Sequence, residues 1–448
     1  MMKTPIFDFV KKYAESRAAR FHMPGHKGNS LLGCEGYDIT EIIGADTLYS
    51  ADGIIAESEN NATRLYGSAH TFYSAEGSTL AIKAMVALAT KETSKTEKPL
   101  ILATRNAHKS FIYACALLDL RVKWLYPEKF DHLCTANISA NELECALKSG
   151  EKPAAVYITT PDYLGNITDV SGISKVCKAY GVPLLVDNAH GAYLRFLSPS
   201  IHPINLGADM CCDSAHKTLP VLTGGAYLHI SENAEKRYVA EARNMLSVFS
   251  STSPSYLILQ SLDLCNKYLS DGYGLRLSKT VKKVGETKDE LQKIGFCVMD
   301  TEPLKITVST VQNGYTGYEV ADILHKSGIE PEFFDGEVVV LMVSPENKDE
   351  DFARLLAVFR SLDKKTPVKT EGNENIDLRA EQCISIRDAV FGEHETVATA
   401  NALGRISASP TVSCPPAIPI VVSGEKISED AIKLFKKYGI EKISVVKI

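Results

Sequence analysis

The sequence predicts an α/β protein built on a mostly parallel sheet sandwiched by helices, with smaller α/β and α+β regions behind it. Three observations point there. Short apolar runs recur between residues 100 and 230. Stretches with a 3.6-residue helical period separate them. Of the 448 residues, 45% are apolar and 23% charged, a mix that can bury a sheet on both faces. The runs lie at 100–103, 122–126, 154–159, 183–186, 208–212 and 225–230, with helical stretches such as 78–89 before them and 170–180 between them. Buried parallel strands read as continuous apolar runs, whereas a sheet with one wet face alternates.

The elements that follow are of a different kind. Helical patterns at 255–267 and 275–294 lead into a strand at 305–310, a helix at 318–327, a strand at 337–343 and a helix at 349–362. That order predicts a smaller α/β domain. The stretch 364–375 is polar, carries Pro367 and Gly372, and reads as a linker. Pro410, Pro415, Pro416 and Pro419 punctuate the remainder, which reads as a compact α+β cap. The expected division is an N-terminal arm at 1–60, a large domain at 61–275, a small domain at 276–365 and the cap at 366–448.

Composition excludes several classes. A formal net charge of -6 argues against nucleic-acid binding through bulk positive charge. No apolar run approaches the ~18 residues of a membrane span. The amphipathic N-terminal stretch lacks the apolar centre of a signal peptide, so the expected compartment is the cytoplasm. The 11 cysteines show neither C-x-x-C nor zinc-type spacing and read as reduced thiols. His22 and His26 are spaced like a metal pair, but Pro24 and Gly25 prevent a helical face, and no metal is expected.

Four segments carry chemistry. In ADMCCDSAHK a strand ends in Ser214, His216 and Lys217, and a lysine at a strand end can act as an amine nucleophile toward a carbonyl. In VPLLVDNAHG an apolar strand delivers Asp187, a carboxylate costly to bury without a cationic partner. In EGSTL, Ser78 and Thr79 open a helix whose N-terminus suits an anion. In TRNAHKS, His108 follows a strand where an imidazole can stack on a flat ligand. Each segment alone also suits an ordinary strand end or helix cap. Together they describe a pocket for pyridoxal 5'-phosphate: a phosphate cradle, an aromatic wall, a carboxylate for the ring nitrogen and a Schiff-base lysine.

The segments FHMPGHKG at 21–28, RNAHKS at 105–110, VDNAHG at 186–191, SAHK at 214–217, SSTSPSY at 250–256 and ALGRIS…CPPAIPIVVSGE at 402–425 resemble the signatures of the ornithine/lysine/arginine decarboxylase family. These are pyridoxal-phosphate enzymes of fold type I, and the likeness is greatest to the short branch typical of Gram-positive bacteria. The resemblance implies α-decarboxylation of arginine, lysine or ornithine to carbon dioxide and a polyamine-type amine, by a homodimer or higher homo-oligomer. It assigns Lys217 to the Schiff base, Asp187 to the pyridine nitrogen and His108 to the ring face. Ser78, Thr79, Ser214 and His216 fall to the phosphate, His190 to the place where substrate and ring meet, and Thr252 to a phosphate in the partner subunit. Other fold-type I reactions, transamination or aldol-type cleavage, suit the same pocket, as does a non-catalytic cofactor-binding paralogue.

The chain departs from the family pattern. Ser78 and Thr79 stand where Thr-Ser is common, which keeps both hydroxyls. Asn188 replaces a common glutamate. Gly224 replaces a usual glutamine, and Cys414 and Ala417 replace tyrosine and glycine; these three are expected to lie away from the cofactor and to bear on substrate choice. Asp46, Asp52, Glu332, Asp335 and Glu425 are candidates for recognising a distal cation.

Overall fold

The computed structural model describes residues 2–92, 98–127, 132–369, 377–412 and 417–447. Cys414 and residues 370–375 of the expected linker fall outside them. Each apolar run is a strand, within two residues of the expected bounds: β2 (Leu100–Thr104), β3 (Arg121–Leu125), β4 (Ala155–Thr159), β5 (Leu184–Asp187), β6 (Met210–Asp213) and β7 (Ala226–Ile230). A strand the apolar pattern did not predict, β1 (His70–Ser74), joins them in a seven-stranded sheet ordered β1-β7-β6-β5-β4-β2-β3. Pairs β5–β6 and β2–β3 are parallel, while β7 runs antiparallel to both β6 and β1. β1 escapes the apolar pattern because its sequence is HTFYS; the Thr71 hydroxyl lies 2.8 Å from both Ser68 Oγ and His229 Nδ1.

Helices α1 (Pro5–Glu15), α2 (Ile54–Tyr66), α3 (Gly77–Thr90) and α4 (Lys109–Leu118) accompany the first strands. α3 is apolar nearly all round and packs on β6 and β7, as an interior helix should. The helices expected near 255–267 and 275–294 are Tyr256–Ser270 and Tyr273–Ile294.

The chain forms two compact units. The first comprises Met1–Thr93, Ala154–Tyr157 and Val170–Arg276; the second comprises Ser94–Pro153, Ile158–Asp169 and Leu277–Ile448. Within the second, β8 (Cys297–Val298), β9 (Lys305–Ser309), β10 (Phe333–Phe334) and β11 (Val338–Met342) make an antiparallel sheet ordered β10-β11-β9-β8. Ile306, Val308, Val339 and Leu341 bury one face of it with Leu291 and Phe359. Further on, β12 (His394–Ala398) pairs with β15 (Lys442–Val446), and β13 (Thr411–Val412) with β14 (Pro419–Val421). Among the described residues no helix is long and apolar enough to cross a membrane, and ten cysteines are free thiols.

Candidate active site

Three turns of the first compact unit bring most of the expected residues together. β5 is wholly apolar until its last residue, Asp187, which is 2% exposed. Asp187 Oδ2 accepts the Tyr157 hydroxyl of β4 at 3.1 Å. Oδ1 accepts the Ala189 amide at 3.2 Å and the Cys212 thiol of β6 at 3.6 Å. Burial raises the Asp187 carboxyl above its ordinary value of 3.8, against the Lys217 charge and these three donors. Such a carboxylate is incompletely compensated, a state that a bound cation relieves.

Lys217 lies in the short helix Ala215–Thr218 that follows β6, with Ser214 as its N-cap. Its Nζ is 3.0 Å from Nε2 of His190, which is 5% exposed. An amine and an imidazole at that distance can exchange a proton.

The Ser214 hydroxyl donates to Ser78 Oγ at 2.9 Å and ties the β6 turn to the start of α3. The Gly77 amide donates to the Gly224 carbonyl at 2.7 Å. A Cβ on Gly77 would meet nothing within 4 Å, so open space lies beside the first amides of a 14-residue helix. Those amides, the hydroxyls and the helix dipole together suit a phosphate. Thr79 is in that first turn. His216 Nδ1 meets the Gly225 carbonyl at 2.9 Å, so this nitrogen donates to backbone. Thr252 is exposed, and its neighbour Ser251 donates its amide to Glu76 Oε1 at 2.8 Å, one residue before Gly77.

In the second unit, His108 caps α4, its Nδ1 accepting the Ser110 amide at 3.2 Å. The C-terminal segment grips the chain on either side of it. Arg105, 3% exposed, donates to the carbonyls of Pro419 at 2.8 Å and Ile420 at 2.9 Å, and to Glu425 Oε2 at 3.3 Å. The Lys109 amide donates to the Ala417 carbonyl at 3.0 Å.

Several expectations need correction. Gly224 does not lie away from the candidate site: its carbonyl closes the Gly77 turn, its φ is +98°, and a Cβ there would meet the Ala75 carbonyl oxygen at 3.2 Å. Ala417 sits beside His108 and keeps a φ of +58°, the left-handed backbone that the family's usual glycine adopts freely. Glu425 and Asp335 are buried and committed, the first to Arg105 and the second to His132 Nε2 at 2.7 Å. Asp46 accepts the amides of Thr47, Gly53 and Ile55, and Glu332 accepts the Tyr163 hydroxyl at 2.7 Å. Tyr157, Cys212 and Asp213 belong to the site's surroundings yet were not singled out. A tyrosine inside an apolar strand was the available signal, because its hydroxyl needs a buried partner.

The profile of the Orn/Lys/Arg decarboxylase major domain matches residues 4–311, and that of the family's C-terminal domain matches residues 373–438. The chain belongs to the Orn/Lys/Arg decarboxylase family. An arginine decarboxylase of Bacillus subtilis is 27% identical over 464 residues, covering 97% of this chain and 93% of that protein. The structure of the constitutive lysine decarboxylase of Escherichia coli is similar at a TM-score of 0.78 and 18% identity, over 99% of this chain and 82% of that one. The lysine decarboxylase LdcF of Francisella novicida is similar at 0.82 and 17%, over 100% and 81%. This family member is a decarboxylase of pyridoxal-phosphate fold type I. Its residues fit that cofactor. The under-compensated Asp187 suits a protonated ring nitrogen, and the space beside Gly77, rimmed by Ser78 and Ser214, suits a phosphate.

Proposed function

We propose that this decarboxylase removes the α-carboxylate of a basic amino acid, arginine, lysine or ornithine, and yields the corresponding polyamine-type amine in the cytoplasm. Arginine is the first substrate to test, because the Bacillus subtilis relative that covers 97% of this chain is an arginine decarboxylase. The observation that carries the reading is the 3.0 Å contact of Lys217 Nζ with His190 beside a buried Asp187.

When bound, pyridoxal phosphate supplies an electron-poor ring that takes up the electron pair left by departing carbon dioxide. Lys217 would hold it covalently, and Ser78, Thr79, Ser214 and His216 would hold its phosphate. Asp187 keeps a proton on the ring nitrogen. His108 is assigned the ring face by resemblance, and Thr252 the phosphate of a partner subunit. Lys217, freed when the substrate amine takes its place, or the neighbouring His190 would then supply a proton to the α-carbon, and their 3.0 Å contact lets either one recharge the other. The domain division at 60, 275 and 365 belongs to the same reading.

A homodimer or higher oligomer is part of the proposal. Phe21, Leu31, Leu32 and Ile43 of the N-terminal arm are 97%, 86%, 88% and 102% exposed, an apolar surface suited to a second copy. Sedimentation of the active enzyme should show at least a dimer, and an active monomer would refute it.

The central test is an amino-acid panel scored for carbon dioxide release with added pyridoxal phosphate. Release from a basic amino acid is expected; a keto acid without carbon dioxide would point to transamination. Borohydride reduction and peptide mapping should place the pyridoxyl group on Lys217, and any other lysine would overturn the site assignment.

A further inference from the structure

We propose that Asp213 is a positioning residue for the cofactor: by fastening Asn188 it holds the Asp187 turn and the Ser214–Lys217 turn in one geometry. The inference rests on the reading of Asp187 and Lys217 as the cofactor site.

Asp213 is fully buried at the end of β6. Its Oδ1 accepts the Asn188 side-chain amide at 2.7 Å. Its Oδ2 accepts Nε2–H of His202 at 3.0 Å and of His229 at 3.1 Å. Thr71 Oγ1 lies 2.8 Å from His229 Nδ1, so both ring nitrogens of His229 are engaged. Three N–H donors thus converge on one carboxylate, and charge-assisted hydrogen bonds of this kind are short and directional.

The contact links two turns that are otherwise far apart in sequence. On one side, Asn188 follows Asp187 directly and precedes Ala189, whose amide holds Asp187 Oδ1; His190 comes next and meets Lys217. On the other side, Asp213 precedes Ser214, which binds Ser78. The Asn188 backbone amide also donates to the Cys212 carbonyl at 3.0 Å, so side chain and backbone fix the same register. The Asn188 side chain lies over Gly191, where a Cβ would meet Asn188 Oδ1 at 2.0 Å. Only glycine leaves the asparagine room to reach Asp213.

The pairing also constrains the residue at 188. A carboxylate at 188 would face the Asp213 carboxylate across a 2.7 Å gap in a dry site, where like charges repel strongly. Asparagine at 188 and aspartate at 213 are therefore a matched pair.

The test uses the full chain as Asn188→Asp, and as Asn188→Asp combined with Asp213→Asn. In the double variant the side-chain amide introduced at position 213 donates to the carboxylate at 188 while its oxygen accepts both histidines. Three quantities are read: the pyridoxal-phosphate dissociation constant, the pH midpoint of the bound cofactor's visible absorbance, and the melting temperature of the apo-protein. Asn188→Asp should weaken cofactor binding about tenfold or more and move the midpoint; the double variant should return both close to the parent, within about threefold in affinity. Parental affinity and midpoint in Asn188→Asp, with only a lower melting temperature, would reduce Asp213 to a structural role and overturn the proposal. So would a double variant as impaired as the single. If Asn188→Asp does not fold, the double variant decides: parental affinity supports the pair, and a loss of about tenfold refutes it. Borohydride mapping to Lys217 tests the underlying site separately, so the two failures are distinguishable.

Discussion

Asp187 and Asp213 end neighbouring parallel strands, both are buried, and their environments push them in opposite directions. Burial opposes ionisation of each. At Asp187 it prevails over a phenol, one amide, a thiol and the charge of Lys217, and the carboxyl is raised. At Asp213 burial is outweighed by His202 and His229, and the carboxyl is held well below its ordinary value. Depth in the fold therefore does not decide the protonation of a strand-end acid; the strength and charge of its partners do. A carboxylate with its donors complete belongs to the architecture. One whose donors are a phenol, an amide and a thiol is left under-compensated even beside Lys217, and is available to a further cation.

The largest effect should come from removing the under-compensated charge. Asp187→Asn should keep the cofactor bound, because the phosphate donors are untouched, yet lose turnover. A charged hydrogen-bond pair is worth roughly 1.5–3 kcal/mol and more in a dry site, which makes a drop of about a hundredfold or more. Carbon dioxide release checks it; activity within about threefold of the parent, with cofactor fully bound, would break the comparison. The apo-protein should respond in the other direction. Its folded Asp187 binds a proton more tightly than the unfolded chain does, so stability falls as pH climbs from 3.8 through the raised folded value. At neutral pH the carboxylate is a liability, and apo Asp187→Asn should melt higher than the parent.

Asp213→Asn reverses that sign. Its folded value is depressed, so its stabilisation is present above 3.8 and is lost as pH falls through the folded value. At neutral pH the substitution removes an ionised acceptor of three N–H donors and should lower apo stability by about 1.5–3 kcal/mol. Parallel thermal melts of the two apo variants read the opposite shifts directly. A higher melting temperature for both would show that burial alone governs the two acids.

Much of this was legible in the sequence, for identifiable reasons. Strands β2 and β4 to β7 are short and largely apolar, and the ends of β5 and β6 carry Asp187 and Asp213; β3, RVKWL, is the exception, with Arg121 and Lys123 in it. β1 was not legible because Thr71 finds a buried partner in His229, 158 residues away, that no local pattern announces. Within the site, Asp187, Lys217 and Ser78 announce themselves by position at strand ends and a helix start. The Tyr157–Asp187 and Asn188–Asp213 bonds span 30 and 25 residues between neighbouring strands, and the Gly77–Gly224 bond joins segments still farther apart. Such contacts depend on strand order, which spacing along the chain does not encode.

A smaller change tests the donor inventory one member at a time. Tyr157→Phe removes a hydroxyl at 3.1 Å from Asp187 and leaves the ring's shape intact. A buried hydrogen bond to a charged acceptor contributes about 1.5–3 kcal/mol, but the ring nitrogen of the bound cofactor compensates part of the loss. Turnover should fall by about tenfold, less than for Asp187→Asn, and carbon dioxide release at matched cofactor occupancy measures it.

The smallest effect should belong to Cys212→Ala. The thiol is fully buried, and burial pushes it well above its ordinary value, so it stays an S–H group and carries no charge. It reaches Asp187 Oδ1 at 3.6 Å, and a thiol is a weak donor. The same oxygen keeps the Ala189 amide, and the other keeps the Tyr157 hydroxyl. Removing sulfur from a packed strand costs about 1–2 kcal/mol of stability through the cavity it leaves, which lowers the melting temperature of both apo and loaded protein. Turnover should stay within about twofold of the parent, because the charge on Asp187 is scarcely altered. A loss equal to that of Tyr157→Phe would mean that the number of donors matters more than their strength, and the contrast between the two aspartates would then need a different cause.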